Sequence, residues 1–114
     1  MAWQLTSVLV ASGVVLAAAG LPLMLRRVPP NRWLGVRVPS TLANERLWYA
    51  VNERSGRDLL VVGTTVVVLA LGLPFVLPHW WPELRALLVA LVLIVGLAVV
   101  TRRGIRDVKR LRAD

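Results

Sequence analysis

From Met1 to Leu25 the chain carries no charged side chain, and the apolar run Leu5 to Leu25 is 21 residues long. At about 1.5 Å per helical residue that run covers the roughly 30 Å of a bilayer's hydrocarbon core. Two more runs follow: Leu59 to Leu77 is a second uncharged stretch, and Ala86 to Thr101 is a third. The third reaches spanning length when Leu84 joins it and Arg85 snorkels toward the headgroups. Each central Leu or Val favours insertion by about 0.3 to 0.6 kcal/mol, against about 2.5 to 3.5 for one central Arg, and the first two runs contain no such opponent. The pattern predicts an all-α membrane protein: one membrane domain, 1–114, with spans at about 5–25, 59–77 and 84–101. A structured cytoplasmic loop, 26–58, and a basic cytoplasmic tail, 102–114, complete it. A soluble core would need an amphipathic coat, and with 57% hydrophobic residues and charges confined to a few blocks the chain has none.

A cleaved signal peptide is the competing reading of the amino terminus. Ala17, Ala18 and Ala19 favour it; the missing basic n-region, the length of the run, and Arg26 and Arg27 directly behind it oppose it. Of the fourteen basic residues, only Arg85 falls on the far side of a three-span topology. The positive-inside rule therefore places the loop 26–58 and the tail in the cytoplasm, with the amino terminus and His79 to Glu83 outside. Trp3, Trp80 and Trp81 would then mark the outer interface, and Trp33 and Trp48 the inner one. The net charge of +8 is read as attraction to anionic lipids of the inner leaflet rather than to nucleic acid, because the basic residues flank spans and no nucleic-acid-binding motif is present. With no cysteine, disulfides and thiolate metal sites drop out.

Within the spans, apart from Arg85 and Thr101 at the ends of the third, the polar side chains are Thr6, Ser7, Ser12, Thr64 and Thr65, which argues against a pump or proton relay. Gly13, Ala17 and Gly20 form a small-residue face on the first helix, and Ala86 with Ala90 does so on the third. Packing within the chain is the favoured reading, and a homo-oligomer contact the alternative. Pro22 and Pro74 predict kinks, Pro78 ends the second span, and Glu83 sits in the first turn of the third. His79 is a single imidazole with no second ligand beside it, so no metal site is assigned; no cofactor is assigned either.

One stretch departs from this composition: residues 29–52 read PPNRWLGVRVPSTLANERLWYAVN. Pro29 and Pro30 stop an arriving helix, Asn31 and Gly35 supply turn chemistry, and 28–39 is expected to be irregular. Ser40 or Thr41 would cap a new helix, Glu45 would lie in its first turns, and Gly56 would take its C-terminal αL position. Ala43, Leu47, Ala50 and Val51 follow helical spacing, with Trp48 at one edge and Glu45, Arg46, Asn52 and Glu53 elsewhere, as in an amphipathic helix lying in the cytoplasmic interface.

The order Asn31, Gly35, Arg37, Pro39, Thr41, followed by Glu45, Trp48, Asn52 and Gly56, resembles the SdpI family of bacterial membrane proteins. The resemblance covers about residues 28–58. It implies a multi-pass protein of the bacterial cell membrane, related to an immunity protein that protects its host from a secreted membrane-active peptide and relays the peptide's presence by holding a repressor at the membrane. That namesake is longer, with about twice the spans. Beside this, Arg32 and Arg37 flank the turn with Trp33 and could clamp a carboxylate, a lipid phosphate or helix-end carbonyls. Asn31 and Thr41 could satisfy loop backbone groups. The stretch is open between a structural plug, needed because irregular backbone near a bilayer must find its partners internally, and a partner-binding site. The tail poses a similar choice, with Ile105, Val108 and Leu111 recurring among basic residues: a short helix resting on anionic lipid, or a docking site for an acidic protein. Two functions follow: tolerance to a membrane-active peptide or signalling of its presence, or an accessory or scaffold subunit of another membrane complex. Catalysis is not expected, because no nucleophile with a base and no embedded carboxylate pair is present.

Overall fold

The computed structural model describes residues 2–31, 34–79 and 81–113. These residues are helical apart from the connections. Helix α1 is Ala2–Met24, α2 is the short Pro39–Ala43, α3 is Glu45–Val76 and α4 is Pro82–Ala113. Three of the helices are long and apolar enough to cross a membrane. Leu5 to Met24 makes a helix because it is rich in Leu and Ala and meets no proline until Pro22, which falls in the last turn. Pro74 likewise lies inside α3, which continues to Val76, with Leu77 as C-cap just before Pro78.

Helix α3 is the spine. Helices α1 and α4 both pack along it and touch each other far less. Both run antiparallel to it: Gly13 meets Gly63 and Gly20 meets Gly56, while Val62 meets Gly96 and Ser55 meets Gly104. The glycine spacing of seven keeps both contacts on one face of each helix, so the backbones of α1 and α3 approach closely at two levels. A Cβ on Gly56 would lie 2.5 Å from the Gly20 carbonyl oxygen, and one on Gly13 would lie 2.6 Å from that of Gly63. The small-residue face of α1 is thus consumed within the chain, as the favoured reading had it. Ala86 lines a notch with α1 and α3 residues, so it too faces into the bundle.

The interfacial helix is not observed. At 32 residues, α3 is about 48 Å long, well beyond the 30 Å or so of hydrocarbon, and its first turns simply extend the second span. The break in the chain comes at Asn44, not after Gly56. Asn44 is the N-cap of α3, its side chain accepting from the Leu47 N–H at 3.2 Å, whereas Thr41 lies inside the five-residue α2 behind Val38 as N-cap. Gly56 is mid-helix and serves close packing rather than an αL cap. Reading it as a helix stop ignored that a glycine is also the residue that lets two backbones touch. The tail is likewise not a separate short helix, because α4 continues through it to Ala113.

Large apolar side chains remain exposed along the helices, among them Val8, Val15, Val61, Val68, Leu87, Leu91, Ile94 and Val95. Inside, Val66, Ala70 and Val89 form one core cluster between the helices, and Leu47, Val51 and Val108 form a second at the end that carries the loop. A soluble protein seldom leaves so continuous an apolar surface, and a lipid-facing bundle requires one.

Candidate functional site

The loop end of the bundle is built on the termination of α1. Arg26 takes positive φ, 60°, while the Arg27 N–H donates to the Pro22 carbonyl at 2.9 Å and the Arg26 N–H to the Leu23 carbonyl at 3.2 Å. This is a Schellman turn with arginine where glycine is usual, and it turns the chain back over the bundle. Asn31 then closes the next turn. Its amide donates to the Pro29 carbonyl and its oxygen accepts from the Leu34 N–H, each at 2.7 Å. Arg32 and Trp33, the proposed clamp and its neighbouring ring, lie outside the described residues.

Gly35 follows at φ 109°, a conformation that L side chains rarely adopt. It is also hemmed in, since a Cβ there would stand 2.7 Å from Asn52 Oδ1 and 3.1 Å from the Trp48 ring. The two side chains that press on it come from α3, one turn apart. Trp48 is fully buried, and its indole N–H donates to the Val28 carbonyl at 2.8 Å. Asn52 is also buried. Its Oδ1 accepts from the Val36 N–H at 2.6 Å and its amide donates to the Trp48 carbonyl at 3.0 Å. Thr41, with no exposed surface, completes the arrangement from α2: its hydroxyl accepts from the Val38 N–H at 3.0 Å and points its proton at the Val36 carbonyl at 2.8 Å.

Asn31, Thr41, Trp48 and Asn52 therefore all do one thing. They supply partners to the described backbone between 28 and 38, whose N–H and C=O groups have no helix or sheet to pair them. The segment becomes a cap on the end of the bundle, with Val36 and Val38 packed on Leu47, Val51 and Val108 beneath it. Two expectations are corrected here. Asn52 is not on a polar face, and Trp48 is not an interfacial anchor; both are at the centre of the cap. Val108 of the tail is buried against the same cluster, so this part of the tail rests on protein rather than on lipid.

The other motif residues are arranged differently. Arg37, Pro39 and Glu45 are exposed on the cap's outer surface, Pro39 as the first residue of α2 and Glu45 in the first turn of α3. Among the described residues three ion pairs tie the helices together around the cap: Arg26 with Glu53 at 2.7 Å, Arg103 with Asp58 at 3.3 Å, and Arg54 with Asp107 at 3.6 Å. Glu53 thus pairs with the end of α1 instead of forming a solvated face. Asn44, Asp58, Asp107 and Val36 are residues that sequence reasoning passed over. An Asn directly before Glu at a helix start was a readable cap signal, whereas the ion pairs join positions 27 to 53 residues apart and left no local trace.

At the opposite end the helices surround a notch of about 20 Å³, lined by Thr6, Leu9, Pro74 and Arg85 among others, with room for little more than a water. Arg85 there donates to the Leu77 carbonyl at 3.1 Å. The cap, not this notch, is where polar chemistry is concentrated.

A model of the SdpI/YfhL protein family matches residues 27–101, which include the cap loop, α2, α3 and α4 as far as Thr101. The chain belongs to that family. In this SdpI/YfhL protein the matched region begins just after α1, yet Gly56 and Gly63 within it meet glycines of α1. No curated protein and no solved structure matches the chain.

Proposed function

We propose that this SdpI/YfhL protein is a non-enzymatic, multi-pass membrane protein that gives tolerance to a membrane-active peptide or relays the presence of one. The family match over the motif-bearing region carries this reading. The proposed orientation has the amino terminus outside and the cap and carboxyl terminus in the cytoplasm, supported by the concentration of Arg and Lys at the cap end. Asn31, Thr41, Trp48 and Asn52 are assigned to holding the cap, because their polar atoms are taken up by its backbone. Partner contact is assigned to the exposed Arg37 and Glu45 and, from the sequence motif alone, to Arg32 and Trp33.

The test is expression of the full chain in a peptide-sensitive strain, with survival scored against a panel of membrane-active peptides. Wild type should raise survival. Arg37→Ala should keep membrane abundance and lose the protection, whereas Asn52→Ala should lose both. Unchanged killing by every peptide would overturn the reading, and a stoichiometric protein partner recovered in mild detergent would then favour a scaffold role.

A further inference from the structure

On α4 one face has no partner in the fold. Gly104, Asp107 and Val108 turn toward α3 and the cap and are buried, and Leu111 packs beside them. Opposite them, at helical spacing, lie Leu91, Val95, Ala98, Arg102, Arg106 and Lys109, every one of them exposed. Along this stripe the chemistry changes within a single turn, from aliphatic through Ala98 to basic from Arg102 onward. A shallow groove crosses the change, walled by Leu97, Ala98, Thr101, Arg102 and Ile105. Thr101 returns its hydroxyl to the Leu97 carbonyl at 2.9 Å, so at that level the groove presents little unpaired polarity.

Two of the acids near this end are engaged elsewhere. Asp58 and Asp107 lie against Arg103 and Arg54, on the side of α4 that faces α3. The six residues of the stripe include three cations and no carboxylate, so none of them offsets its positive charge. Arg102 and Arg106 stand one turn apart, a separation of about 6 Å between Cβ atoms, and two guanidinium forks at that distance can both reach one phosphate.

We infer that the α4 stripe is a binding site for an anionic glycerophospholipid, with the headgroup phosphate held by Arg102 and Arg106 and an acyl chain lying along Leu97, Ala98 and Thr101. The occupant follows from the order of chemistries: an aliphatic segment continuous with the lipid-facing surface, then two guanidinium groups where the helix leaves it. An acidic protein would meet the basic half but has no use for the aliphatic half. The site does not depend on what the protein protects against.

The experiment is native mass spectrometry of the full chain in detergent micelles, titrated with phosphatidylglycerol, with phosphatidylcholine, with soluble glycerol phosphate, and with a polyglutamate peptide. Wild type should retain phosphatidylglycerol in preference to phosphatidylcholine and should not retain glycerol phosphate. Arg102→Gln with Arg106→Gln should weaken phosphatidylglycerol binding roughly thirtyfold, as expected for two basic contacts of typical strength. Arg27→Gln with Arg46→Gln removes the same charge from exposed positions at the same end and should leave binding within about twofold. Equal loss in the two double variants would overturn the inference in favour of diffuse attraction. Equal retention of glycerol phosphate would make it a phosphate site without lipid, and retention of a polyglutamate peptide in place of lipid would make it a protein-docking face. Helical content measured by circular dichroism separates loss of the site from loss of the fold.

Discussion

Asn52 joins three parts of the chain with one side chain: α3, which carries it, the Val36 N–H of the loop, and Gly35, whose missing Cβ leaves room for its Oδ1. Removing it strands a half-buried backbone donor, which costs about 1 to 3 kcal/mol, and opens space beside Trp48. Asn52→Ala should therefore lower the midpoint of thermal unfolding in detergent and the abundance in membranes together. Ser55 is the opposite case. Its hydroxyl is buried beside Gly104 and has no hydrogen-bond partner among the described residues. Ser55→Ala should raise stability, by about 1 kcal/mol, since it removes a desolvated polar group without removing a bond. A lower unfolding midpoint for Ser55→Ala would mean that the hydroxyl is satisfied in the folded protein. Of the motif, the polar and turn-forming character of Asn31, Gly35 and Thr41 was legible from residue type alone. That Asn52 and Trp48 point inward was not, because a helix position next to charged residues gives no sign of which side the loop will cover.

Helix packing separates glycines that look alike in sequence. Gly56 and Gly72 both lie inside α3, but a Cβ on Gly56 would collide with the backbone of α1, while one on Gly72 would meet nothing within 4 Å. Gly72→Ala should be neutral or stabilising by roughly 0.5 to 1 kcal/mol, the usual gain in a helix interior. Gly56→Ala should force α1 and α3 apart. The check is unfolding in a graded series of denaturing detergent, where Gly56→Ala should unfold at markedly lower concentrations than Gly72→Ala. Similar midpoints for the two would show that the close approach contributes little. The same reasoning explains the helix that did not appear. Residues 45–58 have the apolar spacing of an interfacial helix, but Leu47 and Val51 bury against Val108 instead of lipid, and an uninterrupted run of helical hydrogen bonds carries α3 straight into the bilayer.

Taken as a whole, the molecule is a three-helix rod, 51 by 22 by 19 Å, with a folded cap on its basic end. The tail of α4 is the cap's floor. Val108→Asp would set a charge among Leu47, Val51 and Leu111, and the cap should become sensitive to trypsin at its arginines while the membrane-buried helices stay protected. Limited proteolysis in native membranes measures this; an unchanged cleavage pattern would show that the cap stands without the tail. The sequence by itself determined the class, the number of spans and the location of the unusual segment, because hydrocarbon admits only long uncharged helices and any polar cluster must then lie at an end. Only the tertiary structure decided that the second span and its amphipathic extension are one helix, that the glycines at 13, 20, 56 and 63 form the α1–α3 seam, and that the tail supports the loop. Those features depend on which faces meet across tens of residues, and a pattern along one helix can mark a face without saying what will cover it.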